Sequence, residues 1–215
     1  TVNLESITKK KSKYKISVNI NKKKKYFYVN SFFENDLKNL LATIAIISIY
    51  KDIHKLDKNI FYDHKATNGR GDIVKLKLFK KSFYLVDESY NSNPLSLQSA
   101  LKNFDMIKTD NLKKHLVLGD MLELGRYSKK LHIEIGKCIN KTSLKNVNVI
   151  GSQVKSTFNS LNKSKRGIII KKKSQIIDLI KNNLNNNDYL MIKGSNSTGL
   201  NSLTNQIKMG KTNAL

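Results

Sequence analysis

Three polar segments hold the side chains of this sequence that could do chemistry, and each directly follows a short apolar run. They read Asp87-Glu88-Ser89-Tyr90-Asn91-Ser92-Asn93-Pro94, Gly119-Asp120-Met121-Leu122-Glu123-Leu124-Gly125 and Lys193-Gly194-Ser195-Asn196-Ser197. Carboxylate, amide, hydroxyl and ammonium groups bind polar and charged ligands, and glycines supply backbone angles that other residues avoid. The segments therefore predict a binding site, and no residue in them is assigned a catalytic role.

Two of these side chains have both a structural and a functional explanation. Asn93 followed by Pro94 is typical of a helix start, with Asn as the N-cap and Pro at the first helical position. Asp87 either caps a turn or accepts a ribose hydroxyl, as acidic residues at strand ends do. From the residues alone, both explanations stay open.

Metal and nucleophile chemistry are less favoured. Asp120 and Glu123 are three residues apart in a loop, a spacing too common to indicate a metal pair. His132 has no nucleophile nearby, and Cys138 is the single cysteine. Lys193-Gly194-Ser195 is similar to a phosphate-binding loop, but the pattern GxxxxGK[ST] occurs nowhere in the chain.

The elements that would position these segments alternate between strand and helix from Gly71 onward. Apolar runs predict strands over 82–86, 115–118, 147–150, 167–170 and 189–192. Helical spacing predicts helices over 94–107, from about 128, over 152–161, around 176–184 and over 200–207. Such alternation predicts a parallel sheet covered on both faces, a doubly wound, Rossmann-like α/β domain. In an open parallel sheet ligands bind outside the carboxyl ends of the strands, which is where the polar segments fall.

The first part of the chain follows a different pattern. Alternating residues predict strands over 14–20 and 26–30, joined as a hairpin across the polar run 21–25. A helix is predicted over 36–50, with Asn35 or Asp36 as its N-cap. The turn signal Thr67-Asn68-Gly69 sets the predicted boundary, which gives domains at 1–67 and 68–215.

The chain is strongly basic, with 40 Lys plus Arg against 16 Asp plus Glu and a net charge of +24. Only three of the basic residues are arginines, leaving 40 − 3 = 37 lysines that are spread widely along the sequence. Nucleic-acid readers favour the planar arginine fork, so a solvated lysine-rich surface is the preferred explanation. A basic nucleic-acid-binding α/β module stays as the alternative.

The cellular location of the protein is predicted from two features, the lack of a long apolar stretch and the single cysteine. No stretch approaches the roughly 18 apolar residues of a membrane span. The single Cys138 cannot form an intrachain disulfide, which fits a reducing compartment. The sequence therefore predicts a cytoplasmic protein.

The order and spacing of the motifs resemble the C-terminal domain of the Mur ligase family over about residues 69–210. The resemblance rests on Gly69-Arg70-Gly71, on the three polar segments, and on His132 with Gly136. Within that family, the strings SYNSNP and GDMLELG are similar to those of members that add a dipeptide rather than a single amino acid. Residues 1–67 resemble the end of the family's central α/β ATP-binding domain, with Glu34 where the family has a histidine.

The resemblance implies an ATP-dependent amide ligation in peptidoglycan precursor synthesis. D-alanyl-D-alanine would be joined to UDP-N-acetylmuramoyl-tripeptide through an acyl phosphate, with Mg²⁺ as a cofactor. The phosphate-binding loop and the magnesium ligands are expected before Thr1. The chain is therefore expected to be a fragment or a separately encoded remnant, monomeric and inactive alone.

The resemblance also implies roles for individual residues. ATP binding is expected at Asn35, Asn39, Arg70 and Asp87, with Asn39 at adenine, Arg70 at the phosphates and Asp87 at the ribose. Contact with the dipeptide or with the peptide of the nucleotide substrate is expected at Tyr90, Asn91, Asn93, Lys193 and Ser195.

Overall fold

The computed structural model describes residues 1–10, 13–30, 33–63, 68–109 and 112–211. The chain forms two compact units, Thr1–Ala66 and Thr67–Leu215. Thr67, the first residue of the predicted turn, lies outside the described residues.

The first unit contains a three-stranded antiparallel sheet. Its strands are β1 (Val2–Lys10), β2 (Lys13–Ile20) and β3 (Lys23–Val29), in the order β1-β2-β3. The predicted hairpin is confirmed, and its turn residues Asn21 and Lys22 have φ of 49° and 68°. Left-handed angles at both turn positions match the twist of the flanking strands. The first strand was missed by the sequence prediction because a register shift after Leu4 interrupts its alternation.

Helix α1 (Glu34–Tyr50) packs Leu37 and Ile44 into the core of this unit, and a 3₁₀ turn at Ile53–Lys55 follows. The predicted N-cap at Asn35 or Asp36 was wrong, because the helix begins at Glu34 with Phe33 in the cap position. The backbone N–H of Leu37 already donates to the Phe33 carbonyl at 3.0 Å, so the first turn closes earlier than polar capping residues would indicate.

The second unit is built on a six-stranded sheet. Its strands are β4 (Asp72–Leu78), β5 (Lys81–Glu88), β6 (Lys114–Gly119), β7 (Val147–Ile150), β8 (Arg166–Ile170) and β9 (Tyr189–Lys193), in the order β4-β5-β9-β6-β7-β8. The strands from β5 to β8 in that order run parallel, and β4 pairs antiparallel at the edge. Strand β4 was missed by the sequence prediction. Its turn to β5 uses Phe79 and Lys80 at φ of 51° and 59°, positions where Asn and Gly are the usual signal.

Helices cover both faces of this sheet. One face carries α2 (Pro94–Met106), α3 (Ser128–Asn140) and α4 (Lys155–Ser160), and the other carries α5 (Ser174–Asn183) and α6 (Leu200–Lys208). Successive residues of β6 show the division, since Leu116 and Leu118 pack with α2 and α3 whereas Val117 packs with α5 and α6. The prediction of a doubly wound, mostly parallel α/β domain is thereby confirmed. Among the described residues, no helix has the length and apolar character needed to cross a membrane.

A buried histidine lies at the amino end of β6, away from the polar segments. His115 is 4% exposed, and its Nε2 is 3.5 Å from the Asp188 carboxylate. Within the described residues, that nitrogen is buried without a hydrogen-bond partner. Burial lowers the pKa of His115 below its ordinary 6.5, and the nearby Asp188 carboxylate offsets this only in part.

His115 should therefore make the folded chain sensitive to acid. Between its lowered pKa and 6.5, the unfolded chain binds a proton that the folded chain does not. Stability is accordingly full above pH 6.5 and falls as the pH drops through that range. Urea unfolding measured from pH 7 to pH 5 should give a steeper loss for the wild type than for His115→Asn. The matched change His54→Asn, in the first unit, controls for the loss of a ring, and equal slopes for wild type and His115→Asn would contradict the prediction.

Candidate functional site at the carboxyl edge of the sheet

The three polar segments meet because the strands that precede them are parallel and end at the same level. Lys193 of β9 is in register with Glu88 of β5 on one side and with Leu118 of β6 on the other. The segments after these strands consequently share one edge of the sheet, as the sequence predicted.

Lys193 ties the end of β9 to the loop that follows β5. Its side chain is 2% exposed, and its Nζ lies 3.2 Å from Glu88 Oε2 and 3.0 Å from the Asn91 carbonyl oxygen. Burial lowers the pKa of Lys193, the Glu88 carboxylate works against that effect, and the charge of Arg70 lowers the pKa further. The ammonium group is thus held among acceptors beneath the surface rather than projecting into solvent.

Ser195 joins all three segments. Its hydroxyl donates to the Ser92 carbonyl at 3.1 Å and accepts the backbone N–H of Leu122 at 2.8 Å. Its own backbone N–H donates to the Asp120 carbonyl at 2.9 Å. Ser195 is buried, and its bonds hold the three segments together at the edge of the sheet.

Asp87 is fully buried and receives internal donors on both carboxylate oxygens. Oδ1 accepts the backbone N–H of Ser89 at 3.0 Å and its hydroxyl at 2.5 Å. Oδ2 accepts the ammonium of Lys208 at 2.6 Å. The structure therefore shows the turn-capping alternative for Asp87, and its ribose role stays a prediction.

Arg70 lies on a short segment held against the end of β5. Its guanidinium carbon is 4.4 Å from the centre of the Tyr90 ring, and both side chains are exposed. The flanking glycines are fixed by the backbone: Gly69 accepts the Tyr90 N–H at 3.0 Å, and Gly71 donates to the Asp87 carbonyl at 2.8 Å. Their φ angles of 79° and 94° suit glycine. Arg70 and Tyr90 thus form an exposed cationic and aromatic pair beside the buried Lys193.

The loop after Tyr90 leads directly into α2. Asn93 is the N-cap of that helix, since its Oδ1 accepts the Ser96 N–H at 2.8 Å and the Ser96 hydroxyl accepts the Asn93 N–H. Asn91 is exposed, and its Oδ1 accepts the N–H of Ser92 at 2.8 Å. The capping alternative for Asn93 is what the structure shows, and the substrate roles of both asparagines stay predictions.

Asp120 has a structural position at the start of the α4 region. Its carboxylate accepts the N–H groups of Ser152 at 3.1 Å and Val154 at 2.7 Å. A Cβ at Gly151 would lie 2.3 Å from Asp120 Oδ1, so only glycine fits above the carboxylate. Asp120 and Glu123 do not form a metal pair with further ligands, because the described residues contain no group of three or more His, Cys, Asp or Glu suited to a metal.

His132 is a buried support for the loop after β6. Its Nε2 accepts the backbone N–H of Met121 at 3.2 Å, which requires the ring proton to be on Nδ1. Nδ1 then donates to the Ser128 carbonyl at 2.8 Å. With both ring nitrogens bonded, His132 holds the loop in place.

Two glycines let α6 approach the strand ends closely. A Cβ on Gly119 would lie 2.6 Å from Leu200 Cδ1, and one on Gly194 would lie 2.8 Å from the same atom. The two glycine Cα atoms also face each other, so neither position has room for a side chain. Leu200 therefore packs directly against the carboxyl ends of β6 and β9 at Gly119 and Gly194.

The sequence prediction missed the polar contribution of α6. Asn201 donates to the Ser89 hydroxyl at 3.3 Å, and the Thr204 and Ser89 hydroxyls lie 2.8 Å apart. Lys208 donates to Asp87 and to Asp72. Asn and Lys are abundant throughout the chain, so nothing in the sequence distinguished these residues from surface positions.

The remaining predicted residues, Asn35 and Asn39, belong to the first unit. Asn39 is exposed on α1, where its carbonyl accepts the Thr43 hydroxyl at 2.9 Å. Asn35 lies one helical turn earlier, and its side chain is outside the described part of the structure. Their adenine contact stays a prediction.

Comparison with known proteins identifies the domain that carries this edge. The family model for the Mur ligase C-terminal domain, described as "Mur ligase, glutamate ligase domain", matches residues 69–196, more than half of the chain. The chain belongs to the Mur ligase family. The comparisons give no support to the nucleic-acid-binding alternative.

Curated Mur ligase relatives match over most of this chain but less of their own length. A UDP-N-acetylmuramoyl-tripeptide–D-alanyl-D-alanine ligase of Rickettsia prowazekii is 27% identical over 173 residues, 80% of this chain and 36% of that protein. The Haemophilus influenzae enzyme of the same name is 29% identical over 178 residues, 78% of this chain and 35% of that protein. The chain thus spans about a third of the length of these relatives.

Solved Mur ligase structures share the fold. The MurF ligase of Thermotoga maritima in complex with ADP has a TM-score of 0.79 at 18% identity, covering 98% of this chain and 46% of that one. MurF of Acinetobacter baumannii has a TM-score of 0.76 at 18% identity, covering 97% and 45%. The likeness extends over both units of the chain.

The glycine pair at the edge gives a direct test of its packing. Gly119→Ala should lower the free energy of unfolding by about 1–3 kcal/mol, because the new methyl overlaps Leu200. Leu200→Ala alone should cost about 2–5 kcal/mol by leaving a cavity. Since the second change removes the overlapped methyl, the double variant should lose less than the sum in urea titrations. Strict additivity would show that Gly119 and Leu200 are not in conflict.

Proposed function

We propose that this chain supplies the C-terminal part of an ATP-dependent ligase that joins D-alanyl-D-alanine to UDP-N-acetylmuramoyl-tripeptide. The observation that carries the proposal is the convergence of the Arg70, Tyr90, Lys193 and Ser195 segments at one edge of a Mur ligase domain. Support comes from the Rickettsia and Haemophilus relatives, which bear the name of this enzyme.

The reaction transfers a phosphoryl group and then an acyl group. A carboxylate oxygen at the end of the tripeptide attacks the γ-phosphorus of ATP, and ADP leaves. The amine of D-alanyl-D-alanine then attacks the acyl carbon of the acyl phosphate, inorganic phosphate departs, and the amine loses a proton. Every participant around the transferring group is anionic, so fixed positive charge and exclusion of water favour both steps.

Arg70 suits the ATP phosphates because its guanidinium is exposed and restrained by the Tyr90 ring. Stacking limits the rotamers of the arginine, so less entropy is lost when it meets an anion. Asn35 and Asn39 are proposed for adenine and Asp87 for the ribose. Asp87 could accept a ribose hydroxyl only by rearranging its bonds to Ser89 and Lys208, because the carboxylate is fully buried.

The peptide side of the reaction is assigned to Tyr90, Asn91, Asn93, Lys193 and Ser195. Asn91 and Tyr90 are exposed and can touch a peptide directly. Lys193 is 2% exposed, so it acts on a bound anion through its electric field and by holding the Asn91 carbonyl. Ser195 is also buried and acts indirectly, because its hydroxyl donates to the Ser92 carbonyl and fixes the loop there.

The described residues suggest no magnesium site, since they contain no cluster of metal-binding side chains. Asp87 and Asp120 are also bonded on both oxygens to internal donors. No step is therefore assigned to a metal held by this chain. We further propose that the ligase acts as a monomer in the cytoplasm, where ATP is available to it and where a lone Cys138 stays reduced.

The reaction can be tested in a chimera in which this chain replaces the matched region of the Rickettsia prowazekii relative. The folded chimera should form the amide product, detected by mass spectrometry, only with ATP, Mg²⁺ and both substrates. The 215 residues alone should form none. Product from the isolated chain, or a chimera that melts cooperatively yet shows no ligation, would refute the proposal.

Arg70 can be tested in the same chimera. Arg70→Met should lower kcat/KM for ATP by about 10- to 100-fold, as expected when a charged group facing a phosphate is lost. Arg166→Met is the matched control, because Arg166 also lies over an aromatic ring, Phe158, but at the opposite edge of the sheet. An equal effect of the two changes would contradict the assignment of Arg70.

A further inference from the structure

One face of α6 is polar and makes contacts at the end of β5. Asn201, Thr204, Asn205 and Lys208 lie along it at helical spacing, and the adjacent face carries Leu200, Leu203 and Ile207 in the core. The polar face contacts Ser89 and the Asn68–Asp72 segment. These contacts link the last helix to the segment that bears Arg70.

Lys208 is the centre of this polar face. Its Nζ lies 2.6 Å from Asp72 Oδ2 and 2.6 Å from Asp87 Oδ2, and it also donates to Asn68 Oδ1. Burial by itself would lower the pKa of Lys208, but the hydrogen bonds and charges of Asp72 and Asp87 together raise it above the ordinary value. The ammonium form is thus stable in the folded chain.

The two carboxylates need this cation. Asp72 of β4 and Asp87 of β5 are direct cross-strand partners, and like charges in that position repel. Asp87 is fully buried, so its charge has no solvent to screen it. Lys208 lies between the two carboxylates, and its positive charge offsets their repulsion and holds β4 and β5 to α6.

The same two aspartates hold the glycines on either side of Arg70. Asp72 Oδ1 accepts the N–H of Gly69 at 2.9 Å. The Asp87 carbonyl accepts the N–H of Gly71 at 2.8 Å. The Asp72 carboxylate therefore connects Lys208 directly to Gly69, whereas Asp87 meets Lys208 with its carboxylate and Gly71 with its backbone carbonyl.

We propose that Lys208 is a positioning residue for Arg70: by bridging Asp72 and Asp87, it fixes the Gly69–Gly71 backbone and thereby the guanidinium that faces the ATP phosphates. The inference rests on the proposed function for the identity of the anion. The anchoring of the segment by Lys208 rests on this chain's own geometry.

Hydrogen exchange of the 215-residue chain tests the anchoring without any nucleotide. In Lys208→Met, the amides of Gly69 and Gly71 should exchange about 10- to 100-fold faster, because Asp72 and Asp87, the residues that accept them, lose the cation that bridges their carboxylates, while core amides such as that of Ile135 keep their protection. Lys208→Arg keeps the cation and should restore most of the protection. Lys181→Met, in the last turn of α5, is the matched control and should change neither glycine.

Titration of the chimera with ADP, followed by NMR at the Arg70 side chain, tests the consequence. Lys208→Met should raise the apparent Kd by about 10-fold, towards that of Arg70→Met, and Lys208→Arg should recover most of the affinity. If Lys208→Met fails to fold, Asp72→Asn provides the second variant, since it weakens the bond to Gly69 and leaves the Lys208–Asp87 pair in place.

The outcomes separate the two proposals. Unchanged exchange at Gly69 and Gly71 in a folded Lys208→Met chain overturns the positioning role. Faster exchange with unchanged ADP affinity, when Arg70→Met weakens binding, also overturns it, because the arginine then needs no anchor. If ADP moves no Arg70 resonance in the chimera without further changes, the phosphate assignment under the proposed function fails, and the exchange result alone decides whether Lys208 holds the segment.

Discussion

The buried ammonium of Lys193 is the interaction on which the carboxyl edge of the second unit depends. Removing an ammonium group from water is costly, and the cost is offset only while the Glu88 carboxylate and the Asn91 carbonyl stay within reach. The end of β9 and the loop after β5 are therefore bound to one geometry. Tyr90 lies on that loop, and Arg70 stacks on its ring. The Lys193–Glu88 pair therefore fixes the position of both exposed side chains.

Many residues of the motif segments make internal contacts that support the edge of the sheet. Asp120 caps the loop before α4, His132 holds the loop after β6, and Asn93 caps α2. If their partners moved, these polar groups would be left without hydrogen bonds, which costs free energy. The bonds therefore hold the edge in one geometry. Other side chains of the three segments are exposed, namely Tyr90, Asn91, Asn93, Glu123, Asn196 and Ser197, and Arg70 lies beside Tyr90. The carboxyl edge of this domain thus carries exposed polar groups on an internally bonded support.

How far the sequence predicted this arrangement depended on whether the signal was local. Apolar strands alternating with amphipathic helices, from 82 to 207, predicted the doubly wound fold correctly. The strands β1 and β4 were missed, one because of a register shift after Leu4 and the other because Phe79 and Lys80 are unusual turn residues. The start of α1 was wrong because a backbone bond at Phe33, not a polar side chain, closes the first turn. The convergence of the three polar segments was predictable, since it follows from parallel strands alone.

The sequence by itself determined the fold class, the convergence of the three polar segments at one edge of the sheet and the family, because periodicity and motif order are properties of the chain. Only the tertiary structure showed that two of the 37 lysines, Lys193 and Lys208, form ion pairs at the carboxyl edge of the sheet. Lys193 and Lys208 have the same side chain as the solvated majority, but Lys193 pairs with one carboxylate and Lys208 with two, all far away in sequence. Burial changes an ammonium from a weakly interacting surface charge into a structural bridge, and burial depends on contacts that a linear pattern does not contain.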